Sequence, residues 1–123
     1  MRNVFISFDV DDVAMVNLLR IQAKRDRFQF VFRDYSVKEP FEYRWKREVK
    51  NLIYWSSAVI VAIGKNTYKS KAVNWEISEA HRQGKQVIGI RLHRYENHMI
   101  PYAMNNDVIT YWNTYDIANI LGE

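Results

Sequence analysis

The most restrictive feature of the sequence is a run of six apolar residues near its middle, AVIVAI at residues 58–63. A strand with one face in water alternates between apolar and polar residues, and this run does not alternate. It is far shorter than the roughly 20 residues that a membrane-spanning helix needs. We therefore predict a central strand of a parallel sheet, covered by helices on both faces and ended by Gly64.

Segments rich in β-forming residues and segments with helical periodicity alternate along the rest of the chain. We predict four further strands at residues 4–8, 28–33, 86–91 and 108–111. Apolar residues at helical spacing predict helices from residue 11 to the charged residues 24–27, from Pro40 through residue 53, over 71–83 and over about 114–121. Gly84 suits the C-terminal cap of the third helix.

This order of elements predicts right-handed βαβ crossovers and a parallel sheet. The fold class is α/β, a flavodoxin-like three-layer sandwich whose five-stranded parallel sheet has the order 2-1-3-4-5, with helices on both faces. A length of 123 residues suits one domain over residues 1–123. Ligands bind such sheets outside the carboxyl ends of the strands, so we expect any site around residues 7–12, 34–40 and 64–76.

Composition excludes several classes of function. The chain has no cysteine, which excludes disulfides, thiolate zinc sites and a catalytic thiol. Its net charge is +4, but the ten Lys and Arg among residues 20–50 are mixed with acidic residues, as on a solvated helix face. No secretory signal or membrane span is recognisable. We expect a cytoplasmic protein that binds neither nucleic acid nor a membrane.

The familiar chemistries of this architecture fit the sequence poorly. A flavodoxin needs a hydroxyl- and glycine-rich loop after the first strand, where this chain has Asp9, Asp11 and Asp12. These carboxylates suit Mg2+, as in a receiver domain, but a receiver also has an aspartate where this chain has Ile63 and Gly64. Phosphate-loop, dinucleotide, serine-hydrolase and histidine-metal motifs are absent from the sequence, and we predict no metal site. A receiver-like or flavin-binding domain is the least favoured hypothesis.

Glu76 is the remaining candidate for chemistry. Val73, Ile77 and Ala80 form the predicted core-facing stripe of the third helix, and Glu76 lies about 60° from Val73. We expect Glu76 to be partly shielded at the wall of a cleft, where a carboxylate stabilises a developing cation and orders a sugar hydroxyl. A glutamate in the first turns of a helix is also favoured by the helix dipole, and spacing alone favours that structural role. Trp75 points nearly the other way, and an exposed tryptophan more often marks a protein interface than a base-stacking surface.

Three segments, in order, carry a resemblance to a known family. They are VFISF at residues 4–8, DYSVKEP at 34–40, and VNWEI at 73–77 followed by GKQVIGI at 84–90. They resemble the first-strand box, the loop after strand two, and the catalytic helix with its next strand in TIR-like (Toll/interleukin-1 receptor-like) domains. The similarity extends nearly end to end and is strongest to the small prokaryotic branch that includes the ThsB proteins of Thoeris anti-phage defence.

The resemblance implies a flavodoxin-like fold and, in enzymatic members, cleavage of the nicotinamide–ribose bond of NAD+. The product is ADP-ribose or a cyclic or conjugated ADP-ribose signal, so NAD+ is a substrate and no cofactor is required. Glu76 falls on the family's catalytic glutamate, which holds the ribose hydroxyls and stabilises the oxocarbenium-like transition state. The candidate nucleotide-binding residues, with the neighbouring tryptophan added, are Ser7, Phe8, Asp9, Asp34, Tyr35 and Trp75.

One position departs from the family pattern. Many relatives have tryptophan four residues before the glutamate, and this chain has Ala72. The change is consistent with a more open cleft, with altered nicotinamide stacking, or with a domain that no longer catalyses. A non-catalytic interaction module is therefore the alternative function.

The family also implies partners for this chain. Many TIR-type domains work only when assembled, because one subunit's loop completes its neighbour's cleft. We therefore expect a homo-oligomer on activation, and a downstream effector that responds to the nucleotide signal. The segment 34–40, an exposed Trp75 and the aromatic-rich region 92–113 are the predicted association surfaces.

Overall fold

The computed structural model describes residues 2–35, 43–112, 118–119 and 121. The strands and helices are β1 (Arg2–Ser7), α1 (Val13–Arg25), β2 (Phe28–Val31), α2 (Tyr43–Tyr54), β3 (Ala58–Ile63), α3 (Lys71–Arg82), β4 (Gln86–Arg91) and β5 (Val108–Tyr111). Two 3₁₀ turns, Val10–Asp12 and Thr67–Lys69, precede α1 and α3. Within these parts of the chain, no helix combines the length and the apolar character needed to cross a membrane.

The five strands form one parallel sheet in the order β2-β1-β3-β4-β5. This confirms the predicted flavodoxin-like order. All six residues of β3 are buried, and the strand pairs with β1 on one side and β4 on the other. The central strand predicted from the apolar run is therefore confirmed at its stated bounds.

Helices cover both faces of the sheet. The side chains of β3 alternate in direction and therefore contribute to a core on each face. Ala58, Ile60 and Ala62 pack with α1 on one face. On the other face, the remaining residues of β3 pack with α2 and α3. In β1, Phe5 belongs to the core under α2 and α3, and Ser7 follows two residues later on the same side. This alternation turns Ser7 toward α3.

The predicted bounds of β3, β4 and β5 are confirmed. The first strand is Arg2–Ser7 rather than 4–8, and β2 ends at Val31 rather than Arg33 because its sheet pairing stops there. The first helix opens with a 3₁₀ turn and ends at Arg25. Residues 36–42, with the predicted start of the second helix, and most of the predicted helix 114–121 lie outside the described residues.

Helix α3 has a defined cap at each end. The Ser70 hydroxyl accepts a hydrogen bond from the Val73 backbone N–H at 3.2 Å. At the other end Gly84 has a φ of +72°, and the Lys85 backbone N–H donates to the Ala80 carbonyl at 3.0 Å. The left-handed conformation is the one that glycine adopts most easily, which confirms Gly84 as the predicted C-terminal cap.

We expect Gly84→Ala to lower the free energy of unfolding by about 1–2 kcal/mol. A Cβ added there meets no atom within 4 Å, so the loss measures backbone strain alone. Urea denaturation measures it, with Gly84→Asn as the matched variant, because asparagine tolerates the left-handed region better than alanine. An alanine variant as stable as the wild type would contradict this account of the cap.

Candidate active site

Glu76 of α3 is completely buried, with 0% of its side chain exposed. The sequence predicted partial shielding at a cleft wall, and the structure corrects this to full enclosure. Val73, Ile77 and Ala80 are buried as predicted, and Glu76 lies beside them under the carboxyl ends of β1 and β2. Periodicity within α3 predicted the direction of the Glu76 side chain but not its degree of burial.

Two donors bind the same oxygen of this carboxylate. The Ser7 hydroxyl, at the end of β1, donates to Glu76 Oε1 at 2.5 Å. Arg33, just beyond β2, donates from Nη1 to Oε1 at 2.8 Å, in an ion pair whose side chains are 7% and 0% exposed. The other oxygen, Oε2, is buried and has no hydrogen-bond partner among the described residues.

Arg33 also joins Glu76 to the first strand. Its Nη2 donates to the Phe8 carbonyl at 2.5 Å, and its guanidinium carbon lies 5.5 Å from the centre of the Phe8 ring. The guanidinium thus spans the two strand ends above the glutamate. The four residues Ser7, Phe8, Arg33 and Glu76 form a cluster, which we call the carboxylate cluster.

Arg33 is not among the site residues predicted from the sequence, although the sequence contains a signal for it. A predicted strand over 28–33 alternates its side chains, so Val31 and Arg33 share one face. Val31 packs into the core under α2 and α3, and Arg33 follows it toward α3. A shielded carboxylate needs a nearby cation, and Arg33 ends a neighbouring strand at the same sheet edge.

Burial governs the charge of Glu76. Loss of hydration raises its pKa from 4.5 to about 7, although the Arg33 charge and the hydrogen bonds from Ser7 and Arg33 act in the opposite direction. Ionised and neutral forms are therefore both populated near neutral pH. Perturbed carboxyls of this kind are frequent at active sites.

An aromatic cluster lies beside the carboxylate cluster. The Phe8 ring contacts Phe32 at 5.5 Å and Tyr35 at 5.9 Å between ring centres, and Phe32 stacks on Tyr35 at 6.0 Å. Phe8 is buried, whereas Tyr35 is 41% exposed. The predicted nucleotide-binding residues Phe8 and Tyr35 are thus in contact, and Tyr35 presents an aromatic surface to solvent.

The three aspartates after β1 make contacts within the fold. Asp9 accepts a hydrogen bond from the Asp11 backbone N–H at 3.1 Å and so caps the 3₁₀ turn. Asp11 accepts from the Asn66 side chain at 2.8 Å, and Asp12 from the Thr67 hydroxyl at 3.5 Å. Burial, followed by the charge of Asp9, raises the pKa of Asp12. In the described parts of the chain, no three His, Asp or Glu side chains are grouped to hold a metal ion.

The other two candidate residues lie outside the carboxylate cluster. Asp34 is exposed, next to Arg33. Trp75 is partly buried, with its ring centre 5.3 Å from that of Trp45 on α2, which corrects the expectation of an exposed Trp75. The packing of α3 against α2 covers part of this ring. Ala72 is buried in the same core.

A cavity of the described residues lies elsewhere on the molecule. It has a volume of about 710 Å³ and is lined by residues of α1, β4 and β5 and their ends: Gln22, Arg25, Asp26, Arg91, Leu92, Arg94, Tyr111 and Trp112. None of these residues belongs to the carboxylate cluster. This cavity is therefore separate from the carboxylate cluster.

The sheet order and the two helical layers define a flavodoxin-like α/β domain with a buried acidic centre at the carboxyl edge of its sheet. The model of the family described as "Thoeris protein ThsB, TIR-like domain" matches residues 5–97, which is more than half of the chain. The chain belongs to this family of TIR-like domains. A search of curated proteins gives no match.

Solved structures share the fold. The TIR domain of the Toll-related receptor TRR-2 from Hydra magnipapillata has a TM-score of 0.67 and 18% identity, over 96% of this chain and 90% of that one. The TIR domains of the activated Roq1 resistosome, which recognises the pathogen effector XopQ, have a TM-score of 0.56 and 18% identity, over 74% of this chain and 57% of that one. A 3-dehydroquinate dehydratase-like protein from Bifidobacterium longum has a TM-score of 0.57 and 14% identity, over 98% of this chain and 93% of that one. At these identities the similarity shows the fold alone.

We expect the titration of Glu76 to make the fold less stable as pH rises. The unfolded chain loses this proton near pH 4.5, whereas the folded protein keeps it to about pH 7. The folded state therefore binds more protons between these values, and this group's favourable contribution is lost as pH rises through the window, by on the order of 3 kcal/mol. Urea denaturation from pH 4.5 to 8 measures the slope.

The comparison is between the wild type and Glu76→Gln, which lacks this titration. The difference in unfolding free energy between the two proteins should shift in favour of Glu76→Gln as pH rises. Glu79→Gln is the matched control on the same helix, because the hydrogen bonds from Arg82 and Gln83 help to lower the pKa of Glu79. Its difference from the wild type should be constant from pH 5 to 8. A constant difference for Glu76→Gln as well would contradict the raised pKa.

Proposed function

We propose that this domain cleaves the nicotinamide–ribose bond of NAD+ and that Glu76 is its essential carboxylate. The observation that carries the proposal is a fully buried carboxylate, held by Ser7 and Arg33 at the carboxyl edge of the sheet. Membership of the TIR-like family, with Glu76 at the position that resembles the family's catalytic glutamate, supports it. The product is ADP-ribose, or a cyclic or conjugated ADP-ribose that acts as a signal in anti-phage defence.

The reaction breaks the bond between C1′ of the ribose and the pyridinium nitrogen. The bonding electron pair leaves with nicotinamide, which becomes neutral, and positive charge develops on C1′ and the ring oxygen. A carboxylate beside the ribose stabilises this charge, and it does so most strongly where water is excluded. Attack by water on C1′, with release of a proton, gives ADP-ribose, and attack by another nucleophile gives a cyclic or conjugated product.

The aromatic surface beside the carboxylate cluster suits the binding of a nucleotide. Tyr35 offers an exposed ring for stacking beside Phe8, and it follows β2 at the edge where ligands bind such sheets. Full burial of Glu76 means that the described conformation is closed to substrate. We propose that assembly with further copies of the chain opens the site, that catalysis takes place in the cytoplasm, and that a separate effector receives the nucleotide signal.

We expect concentrated protein to release nicotinamide from NAD+, and Glu76→Gln to lower the rate by about 100-fold or more, because it removes the negative charge. Chromatography with mass spectrometry identifies the products, and sedimentation velocity records the assembly state of the same samples. Glu79→Gln changes a buried glutamate one turn along the helix, bound to Arg82, and should keep most of the activity. Assembled wild-type protein that releases no nicotinamide would overturn the proposal.

A second candidate is a non-catalytic interaction module, and the exposed Tyr35 beside an enclosed Glu76 favours it. This function predicts association that depends on Tyr35 and is indifferent to the charge of Glu76. Sedimentation velocity over a range of concentrations should show weaker association for Tyr35→Ala and unchanged association for Glu76→Gln. Trp75 is unsuitable for this test, because its ring packs on Trp45.

Tyr54→Ala is the matched control, since Tyr54 is 61% exposed at the end of α2 and lies outside the predicted association surfaces. It should associate like the wild type. Equal association by Tyr35→Ala and the wild type would contradict the role of this surface. Association lost in Tyr35→Ala, together with no NAD+ cleavage by the assembled wild type, would make the interaction module the function.

A further inference from the structure

The two oxygens of the Glu76 carboxylate have different surroundings. Oε1 accepts from the Ser7 hydroxyl at 2.5 Å and from Arg33 Nη1 at 2.8 Å. Oε2 is as deeply buried but has no partner among the described residues. A buried carboxylate oxygen without a hydrogen-bond donor lowers the stability of the fold. Oε2 is therefore an acceptor that a donor entering the site can satisfy.

Arg33 is the charged group that acts on this carboxylate. The end of the first strand contributes the neutral Ser7, Phe8 follows it, and α3 places an apolar stripe beside Glu76. Glu79 on α3 is held by Arg82. Among the described residues, the Arg33 charge is the one that acts on the pKa of Glu76.

The remaining acidic groups at this edge lie in other surroundings. Asp12 faces Gly64 and Thr67, and its pKa responds to the charges of Asp9 and His93. Asp34 follows Arg33 in sequence and is exposed, and its charge is not among those that act on the pKa of Glu76. Burial raises the pKa of Glu76, and Arg33 is the charged group among the described residues that opposes this effect.

We propose that Arg33 is the positioning residue of this site: it holds Oε1 of the ionised Glu76 and thereby leaves Oε2 to accept a hydroxyl of the substrate's ribose. The assignment of Oε2 to a ribose hydroxyl rests on the proposed NAD+ cleavage. The effect of Arg33 on Glu76 does not depend on the proposed NAD+ cleavage, and it is measured without substrate.

The shape of the guanidinium explains why this residue is arginine. Its planar fork donates to two acceptors at once, Glu76 Oε1 and the Phe8 carbonyl. An ammonium group supplies the same charge from one point, without this fixed geometry. Contact with the Phe8 ring further restricts the guanidinium, so the carboxylate is held in a fixed orientation relative to the end of β1.

The first measurement is the titration of Glu76 by carbon NMR of protein labelled at the glutamate carboxyls, with the resonance assigned from Glu76→Gln. In Arg33→Met we expect the midpoint to rise by about 1–3 pH units, because an opposite charge in direct contact is lost. Arg33→Lys should stay closer to the wild type. Arg20→Met is the matched control: Arg20 lies 5.0 Å from the Phe32 ring centre and hydrogen-bonds Asn17, and its loss should leave the midpoint unchanged.

The second measurement is the pH profile of NAD+ cleavage. In Arg33→Met the acidic limb of kcat should move with the midpoint and kcat at pH 7 should fall at least about 5-fold, while KM changes less. Arg33→Lys should recover the position of the limb more fully than the height of kcat, because it restores charge without the two-acceptor geometry. A purely structural Arg33 would lower activity at every pH and leave the limb in place.

The third measurement concerns Oε2. An NAD+ analogue that lacks a hydroxyl on the nicotinamide ribose should reduce kcat/KM of the wild type by a larger factor than that of Arg33→Met, in which the Ser7 hydroxyl alone holds the carboxylate. Independent, multiplicative effects of the two changes would overturn the assignment of Oε2.

The outcomes separate this inference from the proposed function. An unchanged Glu76 midpoint in folded Arg33→Met would overturn the positioning role. If Arg33→Met does not fold, Arg33→Lys decides the matter, and a wild-type kcat and pH profile in that variant would overturn the role equally. A shifted midpoint together with no NAD+ cleavage by assembled wild type would overturn the proposed function and with it the Oε2 assignment, and would leave the control of Glu76 by Arg33 standing.

Discussion

The whole structure depends on the burial of β3 on both faces. A strand of six apolar residues is stable only where two helical layers and two neighbouring strands remove it from water, and α1, α2, α3, β1 and β4 supply these contacts. Parallel pairing then brings the carboxyl ends of all the strands to one edge. Ser7, Phe8 and Arg33 meet Glu76 at that edge because β1 and β2 are neighbours there.

A buried ion pair contributes little to the stability of a fold. Removing a carboxylate and a guanidinium from water costs several kcal/mol per ion, and well-packed apolar residues often stabilise a fold at least as well. In Glu76 the effect of burial on the pKa outweighs the Arg33 charge and the hydrogen bonds that oppose it. Such a group, with one oxygen unpartnered among the described residues, lowers the stability of the fold, and the proposed catalytic role of Glu76 is a reason to keep it.

The solved structures with this fold include a receptor domain, domains of a resistosome and a dehydratase-like protein. The sheet and its helices are thus compatible with different functions, and the residues at the carboxyl edge distinguish them. In this chain that edge has a buried Glu76 bound to Arg33 and an exposed Tyr35 on an aromatic cluster. Family membership and these residues together are the basis of the proposed NAD+ cleavage.

Local patterns in the sequence determined the elements, because periodicity and cap residues act within a few residues of each other. The bounds of β3, β4 and β5, the core stripe of α3 and the left-handed Gly84 were all predictable for that reason. The tertiary structure alone decided what covers each side chain. Periodicity in α3 placed Glu76 beside the core, but Arg33, 43 residues earlier, binds its carboxylate, and Trp45 packs on Trp75. Burial and pKa depend on groups that are distant in sequence and brought together by strand order, so no local pattern contains them.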